Sequence, residues 1–174
     1  MHDETALVNL ATRGERKAFR QLYELHVDLL YRFLHKFSSD EHELEEWVQR
    51  AFIKAFRGIA SFDGRSKFSS WLFRIAINEM KTDRRKTWRF EELSHDIEEE
   101  LATHPDGEFV WQLTMSELLN ELSDEKRTVF MLFEVEGYSH AEIAAMLDIN
   151  EGTSRSILTR VRQHLKRKWI AEEQ

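Results

Sequence analysis

Pro105 is the only proline in 174 residues, and along most of the remainder apolar side chains recur three and four positions apart. Proline removes a backbone donor and ends a helix, so a chain with one proline and six glycines has few compulsory helix stops. Alternating apolar runs of the kind that make half-buried strands are scarce. The expected fold class is therefore all-α. With 41% hydrophobic residues the chain can fill real cores, in one or two domains.

Glu4 to Thr12 reads as a short helix with Leu7, Leu10 and Ala11 on one face, stopped near Gly14. From about Glu15 to Ser38, Phe19, Leu22, Tyr23, His26, Leu29, Leu30, Phe33, Leu34 and Phe37 keep helical spacing, which makes His26 a core or boundary residue. Asp40 with Glu43 three residues later has the spacing of a helix start. The helix it opens carries Leu44, Trp47, Val48, Ala51, Phe52, Ala55 and Phe56 as far as Gly58 and Ile59. After the loop Ser61 to Ser66, a fourth helix is expected from about Lys67 to Trp88, with Phe68, Leu72, Ile75 and Ala76 as its packing stripe. A second stripe, Trp71, Arg74, Asn78, Lys81 and Arg85, runs into Arg84-Arg85-Lys86-Thr87-Trp88-Arg89. Rings that stack on bases, interleaved with cations that follow a backbone, suit single-stranded nucleic acid. The alternative is an exposed helix with Trp71 buried.

Periodicity fades after Phe90, and charge divides the chain there. Residues 1 to 90 carry 17 basic and 13 acidic side chains, residues 91 to 125 carry none and 12, and residues 126 to 174 carry 8 and 7. Two small helical domains, 1–90 and 110–174, are expected on either side of an acidic linker at 91–109. About 20 extended residues reach at most roughly 65 Å.

The second domain holds a helix-turn-helix candidate. A Ser123-capped helix is expected to run to about Glu136 and end at Gly137. Ser139-His140-Ala141-Glu142 has capping-box spacing, Asp148-Ile149-Asn150 breaks the pattern, and Asn150 caps a second helix from Glu151 to about Lys168. On that helix Ser154, Leu158, Val161 and Leu165 share one sector, while Arg155, Ser156, Thr159, Arg160, Arg162, Gln163, Lys166 and Arg167 lie opposite. Between Gly152 and Lys168 there are six Lys or Arg and no Asp or Glu, although the whole chain carries a net charge of -7. This local basicity points to phosphates and base edges.

The absence of cysteine excludes disulfides, thiolate metal sites and cysteine nucleophiles. The histidines lack ligand spacing, and neither a phosphate-cradling glycine loop nor a nucleophile elbow is present. Neither a cofactor nor catalysis is expected. Met1-His2-Asp3-Glu4 lacks the build of a signal peptide, and no apolar run approaches a membrane span, so membrane insertion is not expected and a cytoplasmic location is.

Gly14-Glu15-x-x-Ala18-Phe19-x-x-Leu22-Tyr23, Val48-Gln49-x-Ala51-Phe52-Ile53-Lys54-Ala55-Phe56-Arg57, Phe68-x-x-Trp71-Leu72-Phe73-Arg74-Ile75-Ala76-x-Asn78, Glu142-Ile143-Ala144-x-x-Leu147 and Gly152-Thr153-x-Arg155-Ser156 follow one another in order. Together they resemble the extracytoplasmic-function (ECF) sigma factors of bacterial RNA polymerase, over nearly the whole chain. The resemblance implies a first domain that binds core RNA polymerase and captures the melted minus-10 element of promoter DNA, a second that reads the minus-35 element, and a linker threaded through the polymerase. By position, Glu46, Gln49 and Arg50 fall where the family meets the polymerase clamp. The Ser61 to Ser66 loop, with Phe62, Asp63, Gly64, Arg65 and Ser66, and Asn78 fall at the minus-10 site, to which the helical stripe adds Trp71, Arg74 and Lys81. Arg155, Ser156, Thr159 and Arg160 fall at the minus-35 site, and Thr153, Arg162 and Lys166 of the same helix are further candidates for that site. An anti-sigma factor is an expected further partner.

Several positions depart from the family pattern. Glu46 stands where Asp is common and Arg50 where Glu is common, a charge reversal. Ser123 replaces a common proline, Ser154 replaces an apolar residue and is expected to weaken packing beneath the recognition helix, and Ile157 stands where a basic residue is common. The residues alone leave open a helix-turn-helix regulator that binds an operator as a dimer without polymerase, or an adaptor whose acidic centre binds a basic partner.

Overall fold

The computed structural model describes residues 4–84 and 117–172, with side chains as far as residue 168. The acidic linker, the Arg85 to Arg89 run and the Val110 start of the second helical domain lie outside the described residues. Within them every regular element is helical, as the periodicity requires. The chain forms two compact units, Met1–Asp83 and Arg84–Gln174.

In the first unit, α1 (Glu4–Thr12) ends in a turn through Gly14, whose φ of 92° is the left-handed conformation glycine adopts without strain. The long helix α2 (Arg16–Leu34) follows, then α3 (Glu41–Gly58), capped by the Asp40 carboxylate accepting from the amides of His42 and Glu43. A 3-10 turn (Ile59–Ser61) leads through the loop to α4 (Phe68–Asp83). The expected continuation of this helix to about Trp88 lies outside the described residues. Asp83, its last described helical residue, accepts hydrogen bonds from Trp47 and Arg50 of α3, and Arg84 lies in a turn.

The core forms where the apolar stripes of α2, α3 and α4 meet. Leu22, Leu30, Phe33 and Leu34 face Leu44, Trp47, Ala51 and Ala55, with Leu72, Phe73, Ala76, Ile77 and Met80 from α4. Phe33 and Phe73 pack edge to face at 4.8 Å between ring centres. Leu7 and Ala11 attach α1 to this bundle, whereas Leu10, placed on the same face by spacing, is exposed.

In the second unit, Glu117 to Asn120 are helical, and Arg127 caps that segment from a distance. Its Nε donates to the carbonyl of Leu119 at 2.7 Å, and Nη2 donates to those of Asn120 and Leu122 at 2.8 and 3.2 Å. These carbonyls lie at a helix end, where acceptors lack helical partners, and that of Leu119 also accepts from the Leu122 amide at 3.3 Å. Ser123 caps α5 (Asp124–Phe130), so its replacement of proline does no harm at this helix start. The helix then widens: Met131–Val135 is a π-helical turn, closed by the amide of Glu136 donating to Met131 at 3.0 Å, five residues back. Gly137, at φ 72°, ends it. The helices α6 (His140–Leu147) and α7 (Glu151–Glu172) complete the unit around Val129, Leu132, Ile143, Met146, Leu147, Leu158 and Val161.

Replacing a fully buried aromatic removes its transfer free energy and leaves a cavity. Phe73→Ala should destabilise the first unit by about 3–5 kcal/mol, while Leu25→Ala on the exposed side of α2 should stay within about 0.5 kcal/mol. Urea unfolding of the two variants checks the contrast.

Candidate nucleic-acid interface

The helix-turn-helix is built by local hydrogen bonds. Ser139 Oγ accepts from the Glu142 amide while the Glu142 carboxylate accepts from the Ser139 amide, the reciprocal capping box. Asp148 ends α6 at φ 58° and ψ 44°, a left-handed conformation that Asp tolerates better than most residues, and this reverses the chain. The Asn150 Oδ1 then accepts from the Thr153 amide at 2.7 Å and starts α7.

Ser154, Leu158 and Val161 are buried along the inner side of α7. The expected loss of packing at Ser154 is offset by a polar partner: His140 Nδ1 lies 2.9 Å from its Oγ, joining the two helices of the motif. The His140 ring stacks on Phe133 at 4.4 Å. Ile157 is half-buried at the packed edge.

On the outer side Arg155, Thr159, Arg160 and Lys166 are exposed, and Thr153 and Ser156 are half-buried near the N-terminal turn. Arg155 pairs with Glu151 one turn back, and the Thr159 hydroxyl donates to the Arg155 carbonyl at 2.9 Å. Arg162 is held differently. It pairs with Glu134 at 2.6 Å and lies over the Phe133 ring at 5.6 Å. The π turn supplies both partners, Glu134 being 28 residues away, so the helical wheel of α7 gives no sign of them.

In the first unit, α4 brings Trp71, Arg74, Asn78 and Lys81 onto one side, with Arg74 and Asn78 exposed. The adjoining loop is ordered by its own side chains. Asp63 accepts from the Arg65 amide and pairs with the Arg65 guanidinium at 3.0 Å, while Gly64 takes φ 70°. Phe62 leans back on Trp71 at 5.2 Å, and Trp71 in turn meets Phe68 at 5.8 Å. Trp71 is thus half-buried in an aromatic cluster, and Asp63, Gly64, Arg65 and Ser66 project beyond it. His26 lies beneath, 5.2 Å from the Phe68 ring.

A surface that periodicity conceals opens between α2 and α3. It is a groove of ≈ 1020 Å³ lined by Phe19, Tyr23, Val27 and Tyr31 on one side and Glu46, Gln49, Phe52, Ile53 and Phe56 on the other. Tyr23, Ile53 and Phe56 are each more than 40% exposed, although their spacing assigns Tyr23 and Phe56 to the core faces. The apolar stripes of the two helices are wider than the core can cover. Of the candidate polymerase contacts, Glu46 and Gln49 line this groove; Arg50 does not.

Residues 22–90 match the family model for Sigma-70 region 2, and residues 112–165 match that for Sigma-70, region 4. An ECF RNA polymerase sigma-E factor of Haemophilus influenzae is 31% identical over 179 residues, covering 95% of this chain and 94% of its own. The chain belongs to the ECF sigma factors of RNA polymerase. The ECF RNA polymerase sigma factor SigW of Bacillus subtilis is 32% identical to this sigma factor, covering 89% of it and 90% of its own length. Two solved structures share its fold. The sigma factor RpoE in complex with the anti-sigma factor NepR from Bartonella quintana is 31% identical, with a TM-score of 0.67 over 87% of this chain and 96% of that one. CnrH in complex with the cytosolic domain of CnrY is 26% identical, with a TM-score of 0.71 over 96% and 97%. Among the described residues of the sigma factor, no helix is long and apolar enough to cross a membrane, and no cluster of His, Asp or Glu could hold a metal ion.

Two histidines are held below the usual imidazole range. Burial pushes the His26 imidazole below its usual range despite the Glu4 carboxylate 3.5 Å away. His140 is lowered by desolvation and by Arg155 and Arg162, against the opposing pull of Glu151. In both cases the unfolded chain takes up the proton first. The associated stability is therefore present above the unfolded imidazole pKa and is lost as pH falls toward the lower folded value. The melting temperature should drop between about pH 7.5 and 5.5, spanning the usual imidazole range, and His26→Phe should flatten that dependence.

Proposed function

We propose that this sigma factor directs core RNA polymerase to specific promoters through three separate surfaces and acts in the cytoplasm. The groove between α2 and α3, with Glu46 and Gln49 at its rim, is the polymerase-binding face. Its exposed aromatics give it the apolar centre and polar edge of a protein interface. The same groove is the surface an anti-sigma factor would cover to keep polymerase away.

The loop residues Phe62 to Ser66, with Trp71, Arg74, Asn78 and Lys81, capture the melted minus-10 strand. The aromatic cluster braces the loop, and the exposed amide of Asn78 offers donors and an acceptor to an unstacked base. The helix α7 reads the minus-35 duplex from its N-terminal half, through Arg155, Ser156, Thr159 and Arg160. Thr153, Arg162 and Lys166 hold the backbone. The chain supplies no reacting group, and the chemistry of RNA synthesis belongs to the polymerase.

The observation that carries this reading is that two compact units each expose a different kind of polar and cationic surface. One is a braced loop and helix suited to unpaired bases, and the other a capped helix-turn-helix suited to duplex. Genomic DNA of the encoding bacterium, transcribed in vitro by core polymerase with and without the protein, supplies the test. New 5′ ends preceded by two shared sequence elements at fixed spacing are expected; no new start sites would refute the proposal.

Arg155 and Lys166 separate readout from anchoring. The Glu151 partner of Arg155 is itself exposed, so that pair costs little to exchange for a base. Arg155→Ala should cost about 1–3 kcal/mol at one base pair and relax discrimination there. Lys166→Ala should weaken all sequences alike and lower the log-log salt slope by about 0.9. Holoenzyme binding to single-base promoter variants at several salt concentrations distinguishes them.

A further inference from the structure

Arg50 sits on α3 one residue past Gln49, yet its side chain turns away from the groove. Its Nη1 donates to Asp83 Oδ1 at 3.1 Å and its Nη2 to Asp83 Oδ2, a two-pronged grip on the last residue of α4. The indole Nε1 of the fully buried Trp47 donates to the same Oδ2 at 2.8 Å, so one carboxylate receives three donors from α3. Glu46 adds an acceptor, 3.2 Å from Arg50 Nη2. One turn along each helix, Lys54 pairs with the buried Glu79. The partners advance on α3 as they recede on α4, so the helices run antiparallel and the two ion pairs form a ladder across their seam.

The stripe Trp71, Arg74, Asn78 and Lys81 lies on α4, and Asp83 is its final residue. A helix end is the part most prone to fray. The ladder holds this one at its last turn and at the turn before. Asp83 is held below the usual carboxylate range, chiefly by the Arg50 hydrogen bond, and Arg50 is raised in return.

We propose that Arg50 is a positioning residue for promoter opening: it fixes the C-terminal half of α4, through Asp83, so that Asn78 and Lys81 meet the melted strand in register, and it is not a polymerase contact. The reversed charge at this position is thereby answered within the chain, by Asp83. Glu46 and Gln49 remain at the polymerase face, on which the proposal rests.

The test compares Arg50→Ala, Asp83→Ala and the exchanged pair Arg50→Asp with Asp83→Arg. Each folded variant, checked by thermal melting, is titrated with core polymerase. Opening is then read at saturating holoenzyme by permanganate reactivity of unpaired thymines, on a promoter found by start-site mapping. Both single variants should bind core polymerase as the parent does and open the promoter about fivefold less well, and the exchange should restore part of that loss, since it rebuilds the ion pair but not the Trp47 acceptor. The proposal fails if Arg50→Ala weakens core binding while Asp83→Ala does not, if either single variant opens the promoter normally, or if the exchange restores nothing. A parent protein that does not bind core polymerase at all would instead sink the sigma-factor reading of the groove.

Discussion

The seam between α3 and α4 sets what the first unit can present. Trp47 is fully buried there, and its only polar atom needs an acceptor that an apolar core cannot offer. Asp83 supplies it, and Arg50 and Lys54 complete the seam with Asp83 and Glu79. With this edge closed by polar contacts, α4 is held on α3 in one register and turns Arg74 and Asn78 outward. The opposite edge of α3 is left uncovered, and there the groove against α2 opens. One helix thus carries both the brace for the helix proposed to meet the minus-10 strand and the surface proposed for polymerase.

The second unit solves a different problem, which is to hold a cationic helix by one side only. Leu158 and Val161 bury that side, and the Ser154–His140 contact and the Glu134–Arg162 pair fasten it to α6 and to the π turn. The extra residue in the π turn changes the angular register of the side chains that follow. Phe133 stacks on His140 and Glu134 reaches Arg162. A single widened turn therefore touches both helices of the motif.

Local chemistry was legible in the sequence. The caps at Asp40, Ser139 and Asn150 involve partners two or three residues away, and each appears as read. The all-helical class followed from periodicity alone. Contacts between residues distant in sequence were not legible. Arg50 and Asp83 are 33 residues apart, and Arg162 and Glu134 are 28 apart, so no wheel or spacing connects them. The π turn left no trace because its composition is that of an ordinary helix. The groove escaped notice because Tyr23 and Phe56 look like core residues until the width of the neighbouring helix is known.

Specificity is proposed to belong to the holoenzyme, because each proposed DNA surface is small and the 12 acidic residues between 91 and 125, in a chain of net charge -7, oppose DNA. The direct measurement is the affinity of a mapped promoter duplex for the free chain and for the chain bound to core polymerase, at about 0.15 M salt. The free chain should show weak binding without sequence preference, and the holoenzyme tight binding that is lost when either promoter element is scrambled. Protection of a two-fold symmetric site by the free chain at nanomolar concentration would contradict the account, and would establish an operator-binding regulator in its place.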